Sequence, residues 1–189
     1  MKKETKILLC CLMLLLNISS CKNIFAPKLE SFTGGQSLFN RVLKTPTDVL
    51  ENFRYAYIYR DSLVYSNLID SNFVFIYYNA DDEGGSGHYD SWLKEVELRT
   101  TGRIFRAFSH IDLTWNSTLD SSFSYYSKDS LIIQQDDIFE EANNANISKS
   151  FELNLGYEII IEGTAKFDFV KNKNDEWQIC KWRDESSSY

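Results

Sequence analysis

The sequence predicts an α+β domain, with helices first and a run of antiparallel strands after, carried behind an N-terminal export signal. Two periodicities carry the fold class. Apolar residues repeat at helical spacing from Thr45 to about Leu68 and again from about Ser91 to Ala107, on either side of one strand, then alternate at strand spacing from Ile111 to Trp182. Polar turns at Asp129-Ser130, Asn143-Asn144 and Asn172 to Asp175 cut the second half into short antiparallel pieces.

The chain opens with Lys2, Lys3 and Lys6, continues with the apolar run Ile7 to Leu16, and places small residues at Ser19 and Ser20. These are the parts of an export signal: lysines that stay cytoplasmic, an apolar run that engages the membrane, and small side chains that admit a peptidase. The run is too short for a transmembrane helix, which needs roughly twenty apolar residues to cross about 30 Å of hydrocarbon. Ile18-Ser19-Ser20-Cys21 resembles the bacterial lipobox of an aliphatic residue, two small residues and a cysteine. That resemblance implies cleavage before Cys21, a diacylglyceryl group on its thiol and acylation of the new amine. The expected location is the cell envelope, lipid-anchored to a bacterial membrane and facing periplasm or exterior. Two or three buried acyl chains, at about 0.8 kcal/mol per methylene, make such an anchor effectively permanent.

Cys10 and Cys11 leave with the signal and Cys21 takes the lipid, so Cys180 is the one free thiol expected in the mature chain. Inside a strand-like run beside Trp182 it reads as a small buried residue rather than a nucleophile. The formal net charge of −7 argues against nucleic acid or anionic headgroups as partners. After the signal the chain is long enough for one domain with a real core.

Lys22 to Lys44 is weakly patterned and reads as a flexible tether, leaving residues 45–189 as the domain. Thr45 caps a helix with Pro46 at its first position and Asp48 three after the cap; Val49, Phe53, Ala56 and Tyr57 share one face. Asp61 caps a second, short helix carrying Leu63, Val64 and Leu68. Phe73 to Tyr78 is a continuous aromatic and β-branched strand, which predicts burial on both faces. An acidic, glycine-rich loop follows from Asn79 to Asp90, then a helix from about Ser91 to Ala107. Its predicted packing side holds Leu93, Thr100, Ile104 and Phe108, and its wet side Glu95, Arg99, Arg103 and Arg106. Strands are predicted at Ile111 to Trp115, Phe123 to Ser127, Leu131 to Phe139, Phe151 to Leu155, Tyr157 to Phe169 and Trp177 to Trp182.

The order of these elements, with TPTDVLENFRYAYIYRDSLVYSNLIDSNFVFIYY leading and GTAKFDFVKNKNDEWQICKWRD closing, resembles the NTF2-like (SnoaL-like, cystatin-like) superfamily. The resemblance covers about Pro46 to Asp184, ending in the spaced pattern Trp177, Ile179, Trp182 and Asp184. It implies a cone: N-terminal helices capping a strongly bent antiparallel sheet around a pocket. Enzymes of that superfamily, such as ketosteroid isomerase and scytalone dehydratase, set Asp, Tyr or His inside the cone as acid or base. Simple members lack the long strand region from Asp120 to Ser150, which predicts an elongated hairpin.

Candidate acids and bases for such a pocket are Tyr57, Asp70, His110 and Asp112, with core, turn and strand-start roles as their ordinary alternatives. Phe75, Tyr77, Trp92, Phe105, Trp115 and Phe167 are the candidate pocket lining for an apolar small molecule. Asn79, Asp81, Glu83 and Asp90 space oxygen ligands like a calcium loop, but Asn stands at the first position and Asp at the twelfth, so a solvated loop is the expectation. His88 and His110 are far apart and no cysteine pair accompanies them, so no metal or other cofactor is expected. The three arginines of the long helix form a solvated face, Glu95 preceding Arg99 in the favourable order. The resulting expectation is a non-enzymatic lipid-anchored module binding an apolar molecule or a protein partner, with homodimerisation through the open sheet face as in many superfamily members. A cofactor-free isomerase, dehydratase or hydrolase is the alternative.

Overall fold

The structure, a computed structural model, describes residues 39–40, 42–80, 87–127, 130–134 and 142–187. The chain divides into two compact units, Met1–Gln36 and Ser37–Tyr189, and every described residue lies in the second. The signal, Cys21 and most of the expected tether lie outside the described residues. No described helix is long and apolar enough to cross a membrane.

Helix α1 spans Pro46–Tyr59 behind the expected cap, as a complete capping box: Asp48 N–H donates to Thr45 Oγ1 at 3.1 Å and Thr45 N–H to Asp48 Oδ2 at 2.8 Å. It stops at Arg60, whose left-handed backbone (φ 56°) turns the chain into α2, Ser62–Leu68. Asp61 caps α2 by accepting from Leu63 and Val64 N–H, both at 3.0 Å. Phe39, Asn40 and Leu43, assigned to the tether by sequence, pack on the domain. Asn52 is buried and trades two hydrogen bonds with the Asn40 backbone, at 2.7 and 2.8 Å, while Leu43 is 8% exposed and its carbonyl accepts from Trp177 N–H. This segment has no periodicity to announce it, because one amide and one leucine anchor it.

Strand β1, Ile69–Asn79, hairpins with β2, His88–Leu93, from Val74↔Leu93 to Asn79↔His88. The expected loop therefore ends at Gly87, and α3 begins only at Lys94 and runs to Ala107, with no side-chain cap. Pairing with β1 overrides the helical pattern read for Ser91 to Leu93. On α3 the buried residues are Glu97, Thr101, Gly102 and Phe105. The expected packing side needs correction: Leu93 is 64% exposed, and Ile104 and Phe108 are only partly buried. Arg99, Arg103 and Arg106 are exposed as expected.

The remaining strands are β3 (Ile111–Ser127), β4 (Ser130–Gln134), β5 (Asn144–Leu155), β6 (Ile159–Lys171) and β7 (Trp177–Ser187). One mixed sheet runs in the order β2-β1-β7-β6-β5-β3-β4. It curls without closing. The expected antiparallel sheet holds for every pair except β1 and β7, which are parallel. The elongated hairpin is β3 with β5, paired from Ile111↔Leu155 to Ser124↔Asn144 across two irregularities, with β4 added outside the far end of β3.

The concave face receives the helices. Aromatics interlock there: Phe53 of α1 lies 4.9 to 5.7 Å, centroid to centroid, from Tyr57, Tyr65, Trp115, Phe167 and Trp182. Strand β7 joins this core with an irregular register, Asp168↔Lys181 but Phe169↔Ile179, so Cys180 is an extra residue. The bulge resets the alternation and lets Trp177, Ile179 and Trp182 face the same side, which is why their spacing departs from a strict period of two. The convex face is polar over β5, β6 and β7, where Lys166 pairs with Glu185 at 2.9 Å and Lys181 with Asp168 at 2.8 Å. The outer side of β1 is not buried as its sequence predicts: Val74 and Ile76 are half-buried and Tyr78 is exposed.

Candidate functional site

Inside the cone the structure builds a polar knot that the sequence did not announce. Glu97, 2% exposed, accepts from Tyr65 Oη at 2.6 Å and Thr101 Oγ1 at 2.8 Å through Oε1, and from Trp92 Nε1 at 2.8 Å through Oε2. Tyr57, 3% exposed, packs beside it, its ring 5.7 Å from that of Tyr65. Residues 97, 101 and 105 recur every fourth position on α3 and so lie on one stripe. That stripe was the available signal, hidden because a glutamate reads as a surface residue.

A carboxylate here depends on its donors, since burial without partners costs several kcal/mol and charge-assisted hydrogen bonds offset that cost. Desolvation by burial, followed by the charge on Glu97, raises both Tyr57 and Tyr65 above the ordinary phenol value. Both phenols stay neutral over the physiological range, and Tyr65 serves as a fixed donor to Glu97. The knot ties α2, α3 and β2 together.

Next to it, among the described residues, Phe53, Tyr57, Leu113, Trp115, Phe151 and Trp182 are part of the lining of a cavity of about 20 Å³, room for roughly one water molecule. Of the expected lining, Phe75 stacks on Trp92 at 4.4 Å and meets Trp182 edge-on at 4.8 Å, Tyr77 leans on Trp92, Phe105 meets Tyr57, and Trp115 and Phe167 pack together at 5.7 Å. These six side chains do share the concave side, but they fill it rather than frame a void.

The four candidate acids and bases are not brought together. Tyr57 alone is in the cone. Asp70 sits half-buried at the irregular start of β1, where its Oδ1 accepts from Asn72 N–H at 2.8 Å. His110 is exposed and stacks on Tyr157, itself 92% exposed. Asp112 faces outward, into a groove of about 600 Å³ between α1 and β3 that Glu51, Arg54, Tyr55, Ile58, Tyr59 and Trp115 complete. Arg54 donates from Nε to the Leu113 carbonyl at 2.8 Å and the Trp115 indole to the Leu50 carbonyl at 3.0 Å, fixing α1 to this edge of the sheet. Phe39, Tyr55 and Tyr59 form an aromatic ladder along the exposed side of α1.

Of the candidate calcium loop, Asp81 and Glu83 lie outside the described residues. Asn79 and Asp90 lie on the paired strands β1 and β2, and Asn79 turns its amide nitrogen, not its oxygen, to Asp90 Oδ2 at 3.1 Å. No group of three or more side chains able to hold a metal occurs among the described residues. Cys180 is half-buried, and burial followed by the charge of Asp168 pushes its thiol up to about 11, in keeping with an unreactive residue.

No family model and no curated protein matches this sequence. Solved structures do. A conserved protein from Planctomyces limnophilus is similar over 75% of this chain and 92% of its own, at 14% identity and a TM-score of 0.53. Bdellovibrio bacteriovorus Bd1075 is similar over 75% of this chain but only 39% of its own, at 10% identity and a TM-score of 0.50. An NTF2-like protein of unknown function from Shewanella baltica matches over 76% of this chain and 91% of its own, at 9% identity and a TM-score of 0.46. Likeness at such identities speaks for architecture alone. The element order, the curled mixed sheet and the helices on its concave side make an α+β fold that this chain shares with the Planctomyces limnophilus protein.

Proposed function

We propose that the chain is an exported, lipid-anchored module that acts by binding a partner protein on its outer surface and carries out no reaction in its cone. The observation that carries this reading is the cavity of about 20 Å³ where a pocket was expected. A substrate needs roughly 300 Å³ or more. Glu97, inside the cone, has its oxygens engaged by Tyr65, Thr101 and Trp92. The lipobox-like Ile18-Ser19-Ser20-Cys21 supports the anchor.

The partner surface is the groove between α1 and β3, which joins an aromatic ladder to Glu51, Arg54 and Asp112. Aromatic and arginine side chains at the centre of a concave patch are the usual energetic anchors of interfaces. The convex sheet face, covered by ion pairs over β5 to β7, is the weaker candidate, for homodimerisation as well.

The test places a photo-crosslinking amino acid at Tyr59 in the groove and, separately, at Lys173 in the β6–β7 turn, and follows membrane fractions from cells. The expected result is one discrete adduct from position 59 and none from position 173. No adduct at position 59 overturns the groove. A Cys21→Ser chain that still fractionates fully with membranes overturns the anchor.

A further inference from the structure

We propose that the partner seated in the groove between α1 and β3 presents an arginine side chain, held between the aromatic ladder and Asp112. The proposal rests on the groove reading above and names the chemistry that the groove selects. Its volume of about 600 Å³ holds such a side chain together with neighbouring residues of the segment that carries it.

The charges around the groove decide the sign of what it takes. Among the described residues, the carboxylates of Glu51 and Asp112 line it against the guanidinium of Arg54. Arg54 is tied to the strand, its Nε donating to the Leu113 carbonyl at 2.8 Å. Arg60, next to Tyr59 in sequence, turns its Nη1 away to the Phe108 carbonyl at 3.4 Å. Glu51 Oε2 accepts from Asn40 Nδ2 at 2.9 Å, a neutral donor that leaves its charge in place. Asp112 is half-buried and makes no hydrogen bond or ion pair with any described residue. Tyr55 feels the resulting field: burial, then the negative charge of Asp61, raises its phenol above the ordinary value. The formal net charge of −7 adds a long-range pull on a basic partner.

The walls decide which cation. Tyr55 and Tyr59 stand 4.6 Å apart, centroid to centroid, and Phe39 continues the row 5.3 Å from Tyr55. Tyr55 is half-buried and Tyr59 is 54% exposed, so part of each ring is open to an occupant. Ile58 and Trp115 add apolar surface beside them. A guanidinium is planar and weakly hydrated, so it stacks on an aromatic face and still gives two parallel N–H bonds to one carboxylate. An ammonium is a compact, strongly hydrated charge without that fork, and it gives up more hydration against the same wall.

The test has two arms. In the first, the full protein in an uncharged detergent is titrated at matched ionic strength with N-acetyl-arginine amide, its neutral counterpart N-acetyl-citrulline amide, and N-acetyl-lysine amide. NMR follows the ring signals of Tyr55, Tyr59 and Trp115. The arginine compound is expected to move all three along one saturating curve at millimolar concentration, binding about tenfold tighter than the citrulline compound and about threefold tighter than the lysine one. Asp112→Asn, which breaks no described hydrogen bond, should weaken it at least about fivefold with unchanged thermal unfolding. Glu158→Gln, at the β5–β6 turn, should leave it unaltered. Unmoved signals at about 100 mM, equal binding of the citrulline compound, or tighter binding of the lysine compound overturns the proposal. The second arm repeats the crosslink from position 59 in an Asp112→Lys chain, where the adduct should fall at least about tenfold. An undiminished adduct there leaves the groove reading standing and overturns this proposal. No adduct from the parent chain overturns the groove reading, and the titration alone then decides whether the groove takes a guanidinium.

Discussion

Replacing Phe53 by alanine probes the filled cone directly. Phe53 is 1% exposed and lies within ring-contact distance of five aromatic side chains, from 4.9 Å for Tyr57 to 5.7 Å for Trp115 and Phe167. Truncating a buried phenylalanine costs about 3–5 kcal/mol through lost transfer energy and the cavity left behind. Aromatic pairs add about 0.5–1.5 kcal/mol each beyond area, which places this site at the upper end, near 5 kcal/mol. In a domain of this size that lowers the unfolding midpoint by about 10–20 °C. The new void adjoins the existing one of about 20 Å³ and is lined by apolar rings, so it should take up benzene while the parent protein does not. Thermal unfolding gives the first quantity and NMR titration with benzene the second. A loss below about 2 kcal/mol, or equal benzene binding by parent and variant, refutes the reasoning and makes the cone a pocket.

The polar knot makes its own predictions. Glu97→Ala strands the donors of Tyr65, Thr101 and Trp92 and should cost at least about 3 kcal/mol in urea unfolding, with Glu97→Gln recovering part of it. Tyr57 and Tyr65 have folded-state values raised above the unfolded value of about 10. Their contribution is fully present below pH 10 and falls, by about 1.4 kcal/mol per pH unit for each, as pH rises past it; Tyr57→Phe and Tyr65→Phe should each flatten the decline in urea titrations between about pH 9 and 11. Cys180, raised to about 11, should resist iodoacetamide near neutral pH in the folded protein and react promptly in denaturant, as intact-mass measurement reads.

The start of the fold was legible because its signals are local. Thr45, Pro46, Asp48 and Asp61 cap their own helices through neighbours two or three residues away, and Val49, Phe53, Ala56 and Tyr57 bury as the helical repeat predicts. What escaped depends on distant partners. Ser91 to Leu93 joins β2 because β1 offers it a ladder, and β7 runs parallel to β1 because the closing strand enters between the first hairpin and β6. The order of elements names the fold; the parallel pair emerges only when the sheet is assembled.

The site was less legible than the scaffold. Tyr57 follows from the helical repeat that buries it, but Asp70, His110 and Asp112 are polar residues near strand starts that local pattern cannot assign to one face. Glu97 carries no local sign of burial, because Trp92 reaches it only from a strand that β1 holds in place and Tyr65 comes from α2, 32 residues away. The abundance of aromatics was plain, but composition does not distinguish rings that line a pocket from rings that fill it. Here they interlock, and the surface becomes the place to look for binding.

The most direct measurement is the mass of the protein purified from its native membrane, recorded first under native and then under denaturing conditions. The account predicts a chain beginning at Cys21 and carrying only covalent acyl groups, with no apolar small molecule held in the native state. An apolar compound retained natively in stoichiometric amount and released on denaturation would contradict it.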